Sequence, residues 1–503
     1  MWLLDSISKL PMDGMKKAGL ELTPEQIFSN TNPSLKDAIV LLPGGTGGFV
    51  SEEGLIVTNH HIAFAGIQEL SSEGDDYLKN GFLATSRDKE LSTSYTAEIV
   101  QTITDVTDEV LSATTDEMKE DERERATRSK RKEIEDRVQD STNLACRVAD
   151  MYGGVKYYLF TSLQLKDVRL VYAPPEAIGV FGGETDNWTW PRHTGDFALM
   201  RAYVGPDGKP AKYSELNIPY TPRKFLPISL DGVPEHSFAM IMGFPGRTFR
   251  YREAASIQLS QEVTLPLTND LFKLRTGIIE RWSNRDRTIA IKYASKHRRL
   301  ANTQKNSVGT LQGLRRTGLV SAKHADEARL AAYISSNPRA ARKYGNLLTD
   351  MKAANDELRS FSTKSIFVNN VNGAVELFMI AGRFGTYLNS LKKDDAGRMR
   401  DPEEKDRQPV REFLAGLFKN FDVDVDKEML TALILKNAEL PENQQVKVFA
   451  EIYGRRTGND RERRVREFVN ELYEDTRLAS EENSVKLLMR KPSAILDDEA
   501  VVF

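Results

Sequence analysis

Two adjacent histidines, His60 and His61, close the apolar run Leu55-Ile56-Val57-Thr58-Asn59, and Asp196 opens another, Phe197-Ala198-Leu199-Met200-Arg201. An imidazole held by a carboxylate is a general base. The carboxylate accepts the Nδ1–H bond, fixes the tautomer with Nε2 open, and stabilises the imidazolium formed when a proton is taken. Metal ligation is the rival chemistry for paired histidines. Neighbours on a strand point to opposite faces, however, so both reach one ion only through a distorted backbone. Taken singly, a His is usually structural and an Asp before a strand is often a turn residue.

The element that must position the histidines is a β-hairpin. Gly47-Gly48-Phe49-Val50 and Leu55-Ile56-Val57-Thr58 flank Ser51-Glu52-Glu53-Gly54, with Gly54 suited to the positive φ of a tight turn. The second strand delivers a His at its end, where a side chain can face a cleft. This hairpin resembles the one that carries the general base of trypsin-like and HtrA-like serine peptidases. By that pattern His61 is the base and His60 a structural neighbour. Asp196-Phe197-Ala198-Leu199-Met200-Arg201 resembles the strand bearing the catalytic Asp in the same enzymes, and the His-then-Asp order agrees.

Longer blocks narrow the resemblance to peptidase family S46. They are Asp167–Pro174, Gly182-Gly183-Glu184-Thr185-Asp186-Asn187-Trp188, Trp190-Pro191-Arg192-His193-Thr194-Gly195-Asp196, the Gly243–Thr248 turn and Ala301–Asn306. The resemblance implies a dipeptidyl aminopeptidase acting on peptides with a free amino terminus, with a helical domain capping the cleft of a peptidase double barrel. It implies that Asn187, Trp188 and Asn302 bind the substrate α-amino group. Amide oxygens suit an ammonium, and an aromatic face attracts a cation. Such an anchor, at a fixed distance from the nucleophile, would set a two-residue product. Core packing is the plain alternative for Trp188 and Trp190, and the expectation for Trp190. Many members have Cys after the catalytic His. Ile62 stands there here, so that disulfide is absent.

The chain's 503 residues exceed one ordinary core. A 40% hydrophobic, 28% charged composition reads as globular, and a formal charge of −3 gives no reason to expect nucleic acid or an anionic membrane. No apolar stretch approaches a bilayer-spanning length. One cysteine, Cys146, forms no intrachain pair, and without CxxC, HExxH or a Walker loop neither metal nor cofactor is expected. Gly44–Gly48 lacks the Lys and helix of a phosphate loop. Asp422–Asp426 has Lys427 where a calcium loop needs Gly and Leu433 where it needs Glu.

Character changes near residue 250. Before it, strands are expected at Gly48–Val50, Leu55–Thr58, Val155–Phe160, Val168–Tyr172, Phe197–Val204 and Ala239–Met242. A solvated helix is expected to interrupt them. Thr114 and Glu117 fit its capping box, and Asp121/Arg125 and Glu124/Arg128 its i,i+4 pairs, through about Val138. Beyond 250, helical periodicity dominates, with Val465, Phe468, Val469, Leu472 and Tyr473 on one face. The basic runs Lys296–Arg299 and Arg461–Arg466 read as solvated faces. The expected fold is mixed α and β. A chymotrypsin-like β-barrel peptidase domain with its second barrel incomplete occupies residues 1–250, and an α-helical cap domain residues 251–503.

A serine peptidase of this fold needs Ser in a Gly-x-Ser-Gly turn. No Ser in the chain is followed by Gly. In the family the nucleophile follows the helical domain, members are longer, and a Met-Trp like Met1-Trp2 lies in their interior. Both ends are therefore expected to be clipped, and the chain alone to be inactive. Met1–Asp5 does not read as a signal peptide. The resemblance implies a periplasmic or secreted full-length form, with a homodimer as a further assembly. The rival readings are a pseudopeptidase that binds peptides and an HtrA-like endopeptidase.

Overall fold

The computed structural model describes residues 3–115, 117–246, 252–391 and 399–503. Met1-Trp2, the end of the Gly243–Thr248 turn and the domain boundary at 250 fall outside them. The architecture is mixed α and β, with one large antiparallel sheet and an extensive helical region. The chain divides into two compact units. One holds Met1–Gly183 and Arg192–Arg247, the other Glu184–Pro191 and Thr248–Phe503.

In the first unit eleven strands form one sheet: β1 Ile39–Leu42, β2 Gly45–Phe49, β3 Leu55–Thr58, β4 Phe82–Leu83, β5 Leu91–Ser92, β6 Ala97–Asp105, β7 Ala145–Met151, β8 Lys156–Leu165, β9 Asp167–Ala173, β10 Ala198–Val204 and β11 Ile218–Pro219. Pairing runs β4-β9-β10-β3-β2-β1-β6-β8-β7, with β11 on β10 and β5 on β9. The β2–β3 hairpin closes through Val50 N–H to the Leu55 carbonyl, 2.8 Å. Gly54 sits at φ 66°, where a Cβ would come within 2.8 Å of the Ala202 and Tyr220 carbonyl oxygens, so the turn requires glycine.

Ala239–Met242 forms no strand. A strand exists through its ladder, no neighbour pairs with this segment among the described residues, and Ile241 is fully exposed. The inserted helix, α2 (Glu120–Thr142), begins six residues later than Thr114. That hydroxyl is spent on the Leu111 carbonyl, and Glu122 instead accepts from Lys119 N–H. The ion pairs Asp121–Arg125 and Glu124–Arg128 form. Ile134 is buried against Val110 and Val148, so one face of this helix is packed. The helix after β3, α1, runs His60–Leu70.

The second unit is helical. The helices that matter below are α3 (Leu265–Ser283), α4 (Arg287–Thr317), α5 (Glu376–Ser390), α6 (Val423–Asn437) and α7 (Gly458–Asp475). The apolar face of α7 is buried as its periodicity predicts, through Val465, Val469, Leu472 and Tyr473. Asp422 caps α6 by accepting from the Asp424 and Val425 N–H groups. Asp426 is fully buried and caps a different helix, accepting from Glu376 and Leu377 N–H at the start of α5, 2.8 and 3.0 Å, and from the Tyr473 hydroxyl, 2.7 Å. Lys296 pairs with Glu376 beside it and donates to the Ala374 carbonyl, 2.7 Å. The Lys296–Arg299 run is thus not simply a solvated face: its first residue neutralises a buried carboxylate. Burial, then the Glu376 charge, pushes the Asp426 carboxyl well up. Burial also works to raise Glu376, but the Asp426 hydrogen bond and Lys296 outweigh it and hold Glu376 low.

Candidate active site

Strand order builds the first half of the site. β3 lies between β2 and β10, and β10 runs antiparallel to it with Ala198 opposite Thr58. The residues leaving the end of β3 therefore face those entering β10, which brings His61 to Asp196 across 135 positions of sequence. The His61 Nδ1 and Asp196 Oδ2 atoms are 2.7 Å apart. The other carboxylate oxygen accepts the His61 backbone N–H at 2.9 Å.

That N–H belongs to the first turn of α1, where amides have no partner within the helix. Asp196 thus serves as a cap from another strand, and the positive helix end favours its charge. Asn59 Nδ2 donates to the Asp196 carbonyl at 3.1 Å and to Oδ2 at 3.3 Å. The carboxylate is mostly covered while the imidazole is nearly half exposed, 21% against 46%. With Nδ1 engaged, Nε2 is the nitrogen left for proton transfer.

The two histidines begin a helix rather than ending a strand. Asn59 ends the extended stretch and α1 starts at once, so His60 and His61 point differently because the helix turns. His60 is buried, edge-on to Phe64 with ring centroids 5.7 Å apart. Gly179 lies flush on its ring: a Cβ there would come within 2.8 Å.

The second cluster lies within the helical unit. Asn302, on α4, accepts at Oδ1 from Trp188 Nε1 (3.0 Å) and from Asn187 Nδ2 (3.1 Å). Asn187 Nδ2 also donates to Glu184 Oε2, 3.0 Å. Lys305 Nζ, one turn along α4, donates to the Glu184 and Thr185 carbonyls, 2.5 Å each, and straps the segment to the helix. Trp188 holds a left-handed backbone at φ 59° and is 62% exposed. A bulky residue in that region is strained, and an exposed aromatic gains no burial to offset it. Trp190 is 91% exposed, so core packing is not its role.

Asn59, Glu184 and Lys305 were not singled out from sequence. Glu184 and Lys305 stand inside blocks that mark the resemblance, and Asn59 precedes a helix in an N-cap residue type. Among the described residues no cluster of His, Cys, Asp and Glu could hold a metal ion.

A model of the family described as Peptidase S46 matches residues 1–503. The chain belongs to peptidase family S46. Among relatives of this S46 chain, the dipeptidyl-peptidase 7 of Capnocytophaga gingivalis is 32% identical over 514 residues, covering 100% of the chain and 69% of that protein. The Asp/Glu-specific dipeptidyl-peptidase of Shewanella putrefaciens is 34% identical over 419 residues, 83% of the chain and 56% of that protein. A crystal structure of Porphyromonas endodontalis DPP11 in complex with dipeptide Arg-Glu superposes with a TM-score of 0.80 at 28% identity, covering 100% of the S46 chain and 71% of that one. The S46 chain thus spans roughly half to two thirds of the length of its curated relatives, with 69% and 56% in these two cases.

Proposed function

We propose that these 503 residues supply the base, its orienting carboxylate and the amino-terminus anchor of a serine-type dipeptidyl aminopeptidase, which releases dipeptides from peptide N-termini. His61 takes the proton of a serine as it attacks the scissile carbonyl and passes it to the leaving amine. Water then hydrolyses the acyl-enzyme with His61 again as base. Asp196 holds the ring and stabilises the imidazolium. Asn187, Trp188 and Asn302 hold the free terminus. No Ser here is followed by Gly, so the nucleophile comes from outside these residues.

The observation that carries this reading is the double grip of Asp196 on His61, ring and backbone from one carboxylate. The family and the names of its members support the peptide substrate. Residues 1–250 as a chymotrypsin-like peptidase domain with an incomplete second barrel, and 251–503 as a helical cap, belong to the same proposal. So does a periplasmic or secreted location. Among the described residues no helix is long and apolar enough to cross a membrane.

Two measurements test it. In the nitrogen-labelled chain the His61 ring is expected as the Nδ1–H tautomer by NMR, and Asp196→Ala should remove that preference. An unchanged ring would break the proposed dyad. For the anchor, a tripeptide with a free amino terminus should bind at least about tenfold tighter than its N-acetylated form, the scale of a hydrogen bond to a charged group. Equal binding would favour an HtrA-like endopeptidase, which has no use for a free terminus.

A further inference from the structure

We infer that the helix Leu347–Asn372 carries a coiled-coil seam, and that a second copy of this chain fills it, the two helices running antiparallel across a two-fold axis. The seam lies wholly within the helical unit and is independent of the catalytic chemistry.

Two neighbouring faces of this helix differ in kind. One holds it to its own unit: Asn355 Nδ2 donates to Glu253 Oε1, 2.8 Å, Arg359 pairs with Glu262, and Ser362 is buried. The other presents Leu347, Met351, Ala354, Leu358 and Phe361, spaced by four, three, four and three residues. Those are the spacings of the core positions of a heptad, which form one narrow stripe along a helix. Within a single chain such a stripe faces the core. Here Leu347, Leu358 and Phe361 are each more than a third exposed, along a stripe about 21 Å long. Contiguous apolar surface of this kind marks an interaction site.

The flanking charges fit the same helix turned end for end. Asp350 and Lys364 stand exposed on the outer flank of the stripe, and neither side chain has an ion-pair partner among the described residues. In an antiparallel pair centred near residue 356, Met351 packs on the partner's Phe361 and Ala354 on the partner's Leu358, small against large at the middle. The same alignment brings Asp350 to the partner's Lys364, and the two-fold axis makes that pair twice. A parallel alignment would set Asp350 beside the partner's Asn355, with no opposite charge. Glu357 is the one adverse contact, since it meets the partner's Glu357 near the axis. A short seam with one repulsion gives a weak, concentration-dependent dimer.

Sedimentation equilibrium of the 503-residue chain over a concentration series is the test, and a monomer–dimer equilibrium is the expected result. Leu358→Glu should weaken the dimer at least about tenfold, because two carboxylates per dimer lose water without gaining partners. Asp350→Lys sets like charges opposite each other and should weaken it about fivefold. Asp350→Lys together with Lys364→Asp exchanges the pair and should restore the affinity to within about twofold. Glu357→Gln should tighten the dimer. Thermal melts accompany each variant, and if Leu358→Glu melts low, the charge exchange, confined to exposed side chains, decides. A chain that stays monomeric up to about millimolar concentration leaves the stripe to some other helix and overturns the proposal. So does a dimer indifferent to a well-folded Leu358→Glu. An Asp350→Lys loss that Lys364→Asp does not repair, or a Glu357→Gln dimer no tighter than the original, overturns the antiparallel pairing.

Discussion

Incubated with dipeptidyl arylamides, the 503-residue chain is expected to release product at close to the uncatalysed rate, on the order of 10⁶-fold below a serine peptidase with its whole triad. The members of a triad act as a unit. A base and its carboxylate without a nucleophile leave little more than binding, because the acyl-enzyme that splits the reaction into two easier steps does not form. His61 Nδ1 and Asp196 Oδ2 are 2.7 Å apart, so on the proposed reading the deficit would lie in the attacking oxygen and not in a misplaced imidazole. His61→Ala should accordingly leave the residual rate unchanged. Steady-state release with and without His61 measures this. Turnover at the level of a longer relative, abolished by His61→Ala, would mean that one of the 503 residues is the nucleophile.

The largest expected effect on stability comes from Lys296→Met. Lys296 and Glu376 are both largely covered, with 13% and 11% of their side chains exposed, and Asp426 beside them is fully buried. Removing the cation leaves the Glu376 charge uncompensated next to a second carboxyl, a loss of about 3–5 kcal/mol. For a unit of this size that lowers the melting temperature by about 6–20 °C. The pH dependence has a definite sign. Glu376 is held below its ordinary value in the folded chain, so its contribution is present above the unfolded carboxyl range and lost as pH falls through its folded value. The deficit of Lys296→Met should be full at neutral pH and narrow in acid, where the unfolded chain takes up the same proton. Melting curves by circular dichroism from neutral to acid pH would show it. A variant that melts with the unaltered chain at neutral pH would remove Lys296 from the stabilising cluster.

The His61–Asp196 pair was legible because antiparallel strands juxtapose the end of one with the start of the next, and the apolar runs before His60 and after Asp196 announce both strands. That the pair opens a helix was not. Asn59-His60-His61 has no strong helical preference, and the turn is enforced by Asp196, distant in sequence, gripping a first-turn amide. Thr114 with Glu117 was a sound capping pattern that lost to a bond with Leu111, a competition the sequence does not display. Lys296 reads as one more cation in a basic run. Its burial depends on Glu376, eighty positions on. Glu184 stays hidden for a related reason: its carboxylate accepts from the Asn187 amide through a turn that no spacing in the sequence displays. Local patterns disclosed the meeting of His61 with Asp196, and partners remote in sequence decided the rest.

Because Glu184–Pro191 groups with the helical unit while its flanks group with the sheet unit, the chain passes between the two units three times. No single proteolytic cut yields both halves intact. The helical half, made as residues 251–503, would carry Asn302 stripped of Asn187 and Trp188, its two donors. On the proposed reading, the anchor for a free amino terminus is borrowed from a strip of polypeptide encoded among the strands, and inheritance of either half by itself would forfeit it.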